Sequence, residues 1–326
     1  MNFELGEDQK LFQDTVLRFA RAELAKDAVA RAKSPAYPWD VAERMAALGL
    51  LGLTIPESKG GLGGRLVDAI LAIQAVASVC PRSADVVQAG NFGAVRTFAE
   101  YASQSQRERF LPDLLAGKAV MAVGMTEPEA GSAVTELRTT ATPDGQGFRV
   151  NGSKVFGTNS AEARVFLVYV RFGPGVKGIG SVLIEKGSPG FQIGPPTAFM
   201  NGEQWSQLYF DNCYVAPDNV LLGPGGFQKQ IAGFNVERLG NSARSLALGR
   251  HAFSVAREHA LTRKQFGRAL CEFQGIQWKF AEMEMKLQAA QLLLLRAAVQ
   301  ADNGLPSAQD TALAKLQAAF TEILQP

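Results

Sequence analysis

Histidine is nearly missing from this chain: only His251 and His259 occur in 326 residues. A His-built metal centre or a Ser-His-Asp triad is therefore improbable on composition alone. Cysteine is almost as scarce. Cys80, Cys213 and Cys271 are isolated and odd in number, with neither a disulfide framework nor a metal spacing, which fits a reducing compartment. No charge block is present. Lys and Arg total 33 against 31 Asp and Glu, a net charge of +2, so nucleic acid is not an expected partner. No apolar run is long enough to span a bilayer; Leu292 to Leu295 is short and flanked by Gln291 and Arg296. The first residues, MNFELGEDQKLF, are acidic and amphipathic, unlike a signal peptide. The glycine patterns of Rossmann and P-loop nucleotide sites are absent too.

What is present is 47% hydrophobic and 20% charged, enough for a large packed core. Leu11, Phe12, Val16 and Phe19 recur at helical spacing. Trp39 to Leu48 reads as a second helix ended by Gly49, and Leu66 to Val79 as a buried one stopped at Pro81. Ser83 to Tyr101 and Gln104 to Leu115 continue in helices. Near Lys118 the period changes to short β-branched and aromatic stretches separated by Gly, Pro and Asn, with Asn151-Gly152 as a hairpin turn signal. Long helical patterns return at Phe227 to Leu261, Phe273 to Ala301 and Ser307 to Leu324. The expected fold class is α+β, with a helical domain over residues 1–117, a β domain over 118–223 and a second helical domain over 224–326.

Two polar inserts interrupt the β region. In MTEPEAGS, Thr126 and Ser132 supply hydroxyls, while Pro128 and Gly131 enforce a turn that directs backbone N–H groups outward. Such a surface suits a flat heterocycle with carbonyl acceptors; an ordinary polar loop is the plainer alternative. In NGSKVFGTNS, the Phe156 ring can stack on a planar ligand and Thr158 can hydrogen-bond its edge, or the two are a core Phe and a turn Thr. A third cluster, TRKQFGRALCEFQ, places Arg263 and Gln274 around Phe266-Gly267, and an Arg fork suits pyrophosphate. In IAGFNVERLGNSAR, Glu237 shares a helix face with Gly233, Phe234, Gly240 and Asn241, where a ligand backbone could approach closely.

Together these motifs, in helical–β–helical order across essentially the whole chain, resemble the acyl-CoA dehydrogenase family. The resemblance implies FAD as the cofactor, lined by Met125, Thr126, Gly131, Ser132, Phe156, Gly157 and Thr158. It also implies that Arg263, Phe266 and Gln274 reach the FAD of a neighbouring subunit in a homo-oligomer, a dimer or tetramer. Glu237 falls where isovaleryl- and long-chain-type members carry the catalytic base, with Ser132, Phe234, Asn235 and Arg238 on the substrate side. The implied reaction is α,β-dehydrogenation of a saturated acyl-CoA to the trans-2-enoyl-CoA, as in fatty-acid β-oxidation. Electrons would pass to an electron-transfer flavoprotein, in the cytoplasm, with no metal and no membrane span.

Two departures from the family pattern stand out. Ala133 replaces the usual Asp after the motif serine. Nothing resembles the family's later glycine-rich flavin loop or its Glu-Gly-Thr segment, so the C-terminal bundle is expected to be incomplete. Other reactions of the same flavin fold (nitroalkane oxidation, aromatic hydroxylation, desulfination) remain alternatives, as does a truncated, non-catalytic relative.

Overall fold

The computed structural model describes residues 4–301 and 305–323, with the side chains of the last helix described as far as residue 319. Seven helices come first: α1 (Glu7–Phe19), α2 (Ala28–Lys33), α3 (Trp39–Ala47), α4 (Leu66–Ala77), α5 (Pro81–Asn91), α6 (Gly93–Tyr101) and α7 (Gln104–Leu115). The strands are β1 (Met121–Gly124), β2 (Thr140–Asp144), β3 (Gly147–Thr158), β4 (Val165–Arg171), β5 (Ile179–Glu185), β6 (Phe191–Ile193), β7 (Thr197–Ala198), β8 (Gln204–Val215) and β9 (Val220–Leu222). Then follow α8 (Phe227–Thr262), a small hairpin of β10 (Lys264–Gln265) and β11 (Arg268–Ala269), α9 (Gln274–Val299) and α10 (Ala308–Ile323). The helical–β–helical order and the α+β class are as the sequence implies.

The contacts group the chain into two compact units. One joins Val29–Gly64 to Asp85–Phe234; the other joins the residues through Ala28, Arg65–Ala84 and the chain from Asn235 onward.

The sheet belongs to the first of these. Its order is β6-β8-β3-β2-β4-β5-β9, with β1 parallel to β4 and β7 antiparallel to β8. The run VFLVYV in β4 is buried at every position, because both faces of the strand are covered. Val165, Leu167 and Tyr169 pack into a core with Phe98 of α6 and Phe110, Leu111 and Leu114 of α7. On the opposite face Phe166 meets Phe191 edge-on, centroids 4.8 Å apart. Helix α7 opens with a reciprocal cap. The Gln106 N–H donates to Ser103 Oγ at 3.2 Å and the Ser103 N–H to Gln106 Oε1 at 2.9 Å. The Gln106 amide also donates to the carbonyls of Asp218 and Val220, docking the helix beside β9.

In the other unit, α4 is apolar on all sides and buried everywhere except Asp68, as suits a helix packed against both α1 and α9. The Gln74 amide donates to Gln291 Oε1 at 2.9 Å. Ser307 caps α10, and Arg296 of α9 pairs with Asp310 in its first turn.

Two local readings need correction. Asn151-Gly152 is not a hairpin turn: it lies inside β3, opposite a bulge in β8 where Asn212 has φ 49°. The chain reverses instead at Gly145-Gln146, between the paired Asp144 and Gly147, with Gly145 at φ 61°. Gly152 is glycine because a Cβ would stand 2.7 Å from Thr139 Cα, at φ 142°. The helix expected over Ser83 to Tyr101 is two helices. Phe92 is extended between them and Gly93 takes φ 57°.

Candidate active site

The MTEPEAGS loop leaves β1 and returns towards β2. A bridge between Glu127 and Ala130 tightens it, with N–H to carbonyl distances of 3.2 and 3.1 Å in the two directions. Pro128, Gly131 and Ser132 are exposed, and Met125 and Thr126 are half-buried. A Cβ placed on Gly131 would meet nothing within 4 Å, so no internal crowding demands glycine there.

The second motif is held by a bulge. β3 pairs Lys154 with Leu208 and then Gly157 with Ser206, so Val155 and Phe156 together face a single residue, Gln207. Phe156 sits at φ 57°, an uncommon conformation for a bulky side chain, and is 56% exposed. Its ring lies 4.8 Å from Trp205, and Phe199 is 6.3 Å from the same indole. Gly157 is buried against Ser160, whose Oγ would stand 2.4 Å from an added Cβ. Thr158 is half-buried and pairs with Trp205.

The structure brings these two motifs together. The Val155 N–H donates to the Thr126 carbonyl at 2.8 Å. Behind both lies an ion pair that sequence reasoning passed over. Lys154 is fully buried, and its Nζ donates to Glu127 Oε1 at 2.8 Å and to the Met125 carbonyl at 3.2 Å. Glu127, 5% exposed, also accepts from the Arg138 N–H at 2.6 Å, the Thr139 N–H at 2.9 Å and the Thr139 hydroxyl at 2.6 Å. Burial pulls the Lys154 amine down, and the charge and hydrogen bond of Glu127 restore only part of the loss, leaving it at about 8. Burial pushes the Glu127 carboxyl up, but Lys154, Thr139 and the Arg138 N–H outweigh it and hold the group below its ordinary 4.5. A lysine inside a strand whose own position is buried is the signal that could have found the pair, since a buried cation requires a partner.

Glu237 is half-buried on α8. Gly233, Asn235, Val236, Leu239 and Gly240 around it in sequence are buried, and Phe234, Arg238 and Asn241 are half-buried, so this stretch of helix is not a solvated face. Arg238 Nη1 donates to Asn235 Oδ1 at 2.5 Å, and the Asn235 amide to the Pro306 carbonyl at 3.4 Å. Arg263, Phe266 and Gln274 surround the β10–β11 hairpin. Phe266 and Gly267 form its turn at φ 50° and 81°, and Phe266 is 93% exposed. Arg263 and Gln274 are exposed as well.

Among the described residues no group of three or more His, Cys, Asp or Glu could hold a metal ion, and no helix is long and apolar enough to cross a membrane. For a flavin the residues present do fit: an aromatic face, hydroxyls at a turn and an uncrowded glycine gather on one framework.

Comparison with known proteins assigns nearly all of the chain to one family. Residues 6–118 match the acyl-CoA dehydrogenase N-terminal domain, 122–213 its middle domain and 225–322 its C-terminal domain. The short-chain-specific acyl-CoA dehydrogenase of Clostridium acetobutylicum is 31% identical over 324 residues, 98% of this chain and 86% of that protein. The structure of butyryl-CoA dehydrogenase from Megasphaera elsdenii superposes with a TM-score of 0.89 at 30% identity, covering 98% of this chain and 86% of that one. A chain from a structure described as the electron transferring flavoprotein of Acidaminococcus fermentans superposes with a TM-score of 0.90, again at 30% identity and with the same coverage. The chain belongs to the acyl-CoA dehydrogenase family of FAD-dependent oxidoreductases.

Proposed function

We propose that this protein removes two hydrogens from a saturated acyl-CoA, giving the trans-2-enoyl-CoA, and that its electrons pass to an electron-transfer flavoprotein. FAD, when bound, supplies the acceptor for the β-hydride. The chain supplies the base, the positioning and the dry surroundings. Glu237 takes the α-proton, which the thioester acidifies only modestly, so a placed carboxylate must contribute much of the rate. Asn235 and Arg238, hydrogen-bonded to one another, line the substrate side with Phe234 and Ser132. The Phe156 ring and the Thr158 hydroxyl face the flavin, with Met125, Thr126, Gly131, Ser132 and Gly157 completing its bed. Arg263, Phe266 and Gln274 serve the flavin of a neighbouring subunit in a homotetramer. The near-complete exposure of Phe266, with Trp278 at 62% and Met285 at 64%, supports a surface that another copy covers. Use in fatty-acid β-oxidation and a cytoplasmic location belong to the same proposal, the latter on three free cysteines.

The observation that carries the reading is Glu237 itself, a half-buried carboxylate between buried glycines 233 and 240 on α8. It supplies the base that removal of an α-proton needs. The test is anaerobic titration of the FAD-loaded protein with acyl-CoAs of graded length, followed by mass spectrometry of the product. Bleaching of the flavin with formation of enoyl-CoA is expected. Failure of every acyl-CoA to bleach it would overturn the proposal.

A further inference from the structure

The Glu127–Lys154 pair lies where a purely structural ion pair has little reason to be. Taking both charges out of water is costly, and replacing a buried pair by apolar side chains of similar volume is often neutral or stabilising. What the pair does locally follows from its hydrogen bonds. Lys154 Nζ binds the Met125 carbonyl, and one residue further on the Val155 N–H binds the Thr126 carbonyl. Both carbonyls of the loop's first turn are thus drawn towards β3. In a trans peptide the C=O and the following N–H point in opposite directions. With the Met125 carbonyl turned to the buried amine, the Thr126 N–H is turned away from it. Among the described residues no acceptor takes that N–H, whereas the next one, on Glu127, is used by the Ala130 carbonyl. Glu127 fixes the other end of the loop by accepting from the Arg138 and Thr139 N–H groups, and the Thr139 hydroxyl reaches on to the Ser153 carbonyl at 3.2 Å.

We propose that Glu127 and Lys154 are positioning residues that orient the Thr126 peptide, presenting its N–H as a fixed donor to a carbonyl-type acceptor on the flavin ring. They also lock the MTEPEAGS loop to the strand that carries Phe156. Neither side chain touches the ligand. Lys154 acts through the Met125 carbonyl, and Glu127 acts by holding Lys154 and closing the loop. The inference rests on the flavin site proposed above.

The test compares wild type with the double variant Glu127→Leu/Lys154→Met and with Thr139→Val. The double variant removes both charges together and leaves no unpaired one. Each protein is stripped of FAD, checked by circular dichroism and titrated with FAD. The visible spectrum of the bound flavin is then recorded. The double variant is expected to fold, to bind FAD about tenfold more weakly, and to show a shifted visible band in the flavin that remains bound, as loss of a fixed donor requires. A merely structural pair would not move that band. Wild-type affinity and spectrum in a folded double variant would overturn the proposal. If the double variant does not fold, Thr139→Val decides: it removes one hydrogen bond to Glu127 and should weaken FAD binding about threefold. No change in its affinity or spectrum would likewise overturn the positioning role. A wild-type chain that takes up no FAD would sink the flavin site and this inference together. Normal FAD uptake with unchanged variants sinks only the inference.

Discussion

The Phe156 ring stands 4.8 Å from that of Trp205, tilted by 56°, across the pairing of β3 with β8. The indole steadies a phenylalanine that the bulge has pushed into an uncommon backbone conformation and left more than half exposed. A large apolar ring held outward in this way is set to be covered by something flat.

Replacing Phe156 and Thr158 together by alanine should therefore reduce flavin retention, by about tenfold in affinity, through loss of ring stacking and of one edge hydrogen bond. FAD released per chain on heating measures it. Full occupancy in the double variant would make these two residues ordinary parts of a strand end.

Glu237→Gln keeps the shape and hydrogen-bonding capacity of the side chain but removes the base. The reductive step should slow by on the order of a hundred- to ten-thousand-fold, with FAD content and acyl-CoA binding retained. Stopped-flow bleaching with a good substrate reads the rate. A variant that bleaches as fast as wild type would move the base elsewhere.

Arg263→Ala and Gln274→Ala should lower FAD affinity through the adjacent subunit. In oligomers mixed from mutant and wild-type chains, flavin content should then fall between the two parents. A monomer that binds FAD fully would remove the idea of a shared site.

Acid should weaken the β unit through Glu127. Its folded carboxyl titrates below its ordinary value, so the stability it contributes is fully present above the unfolded value of 4.5 and is lost as pH falls through the folded one. Lys154 works at the other end of the scale. Its folded amine titrates at about 8 against 10.5 unfolded, so between those values the unfolded chain holds more protons and this group's burial becomes less costly as pH rises. Denaturant midpoints of wild type and Glu127→Gln should differ above 4.5 and converge as pH falls through the folded carboxyl's own lowered value. A gap that persists unchanged into acid would argue against this titration.

Much of this architecture was legible because its causes are local. The β4 run VFLVYV, the Ser103–Gln106 cap and the apolar α4 each carry their explanation within a few residues. The hairpin turn was misplaced for a related reason. Asp144-Gly145 and Asn151-Gly152 are both turn-forming dipeptides, and only the pairing of β2 with β3 and of β3 with β8 selects between them. The flavin-side motifs could be found as strings, but what braces them could not. Lys154 meets Glu127 across twenty-seven positions, and Trp205 comes to Phe156 from β8, a twelve-residue strand in a region where the sequence pattern shows only short stretches.

Side chains along a strand alternate sides, so the extra residue at Val155–Phe156 acts as a phase shift: every position after it is turned over relative to an unbroken strand. The geometry around Gly157 and Thr158 is thus set by a count as well as by their identities. Flattening the bulge without removing a residue would leave every residue of the flavin motif in place chemically and still aim Thr158 at the opposite side of the sheet, because it would restore unbroken alternation from Lys154 onward.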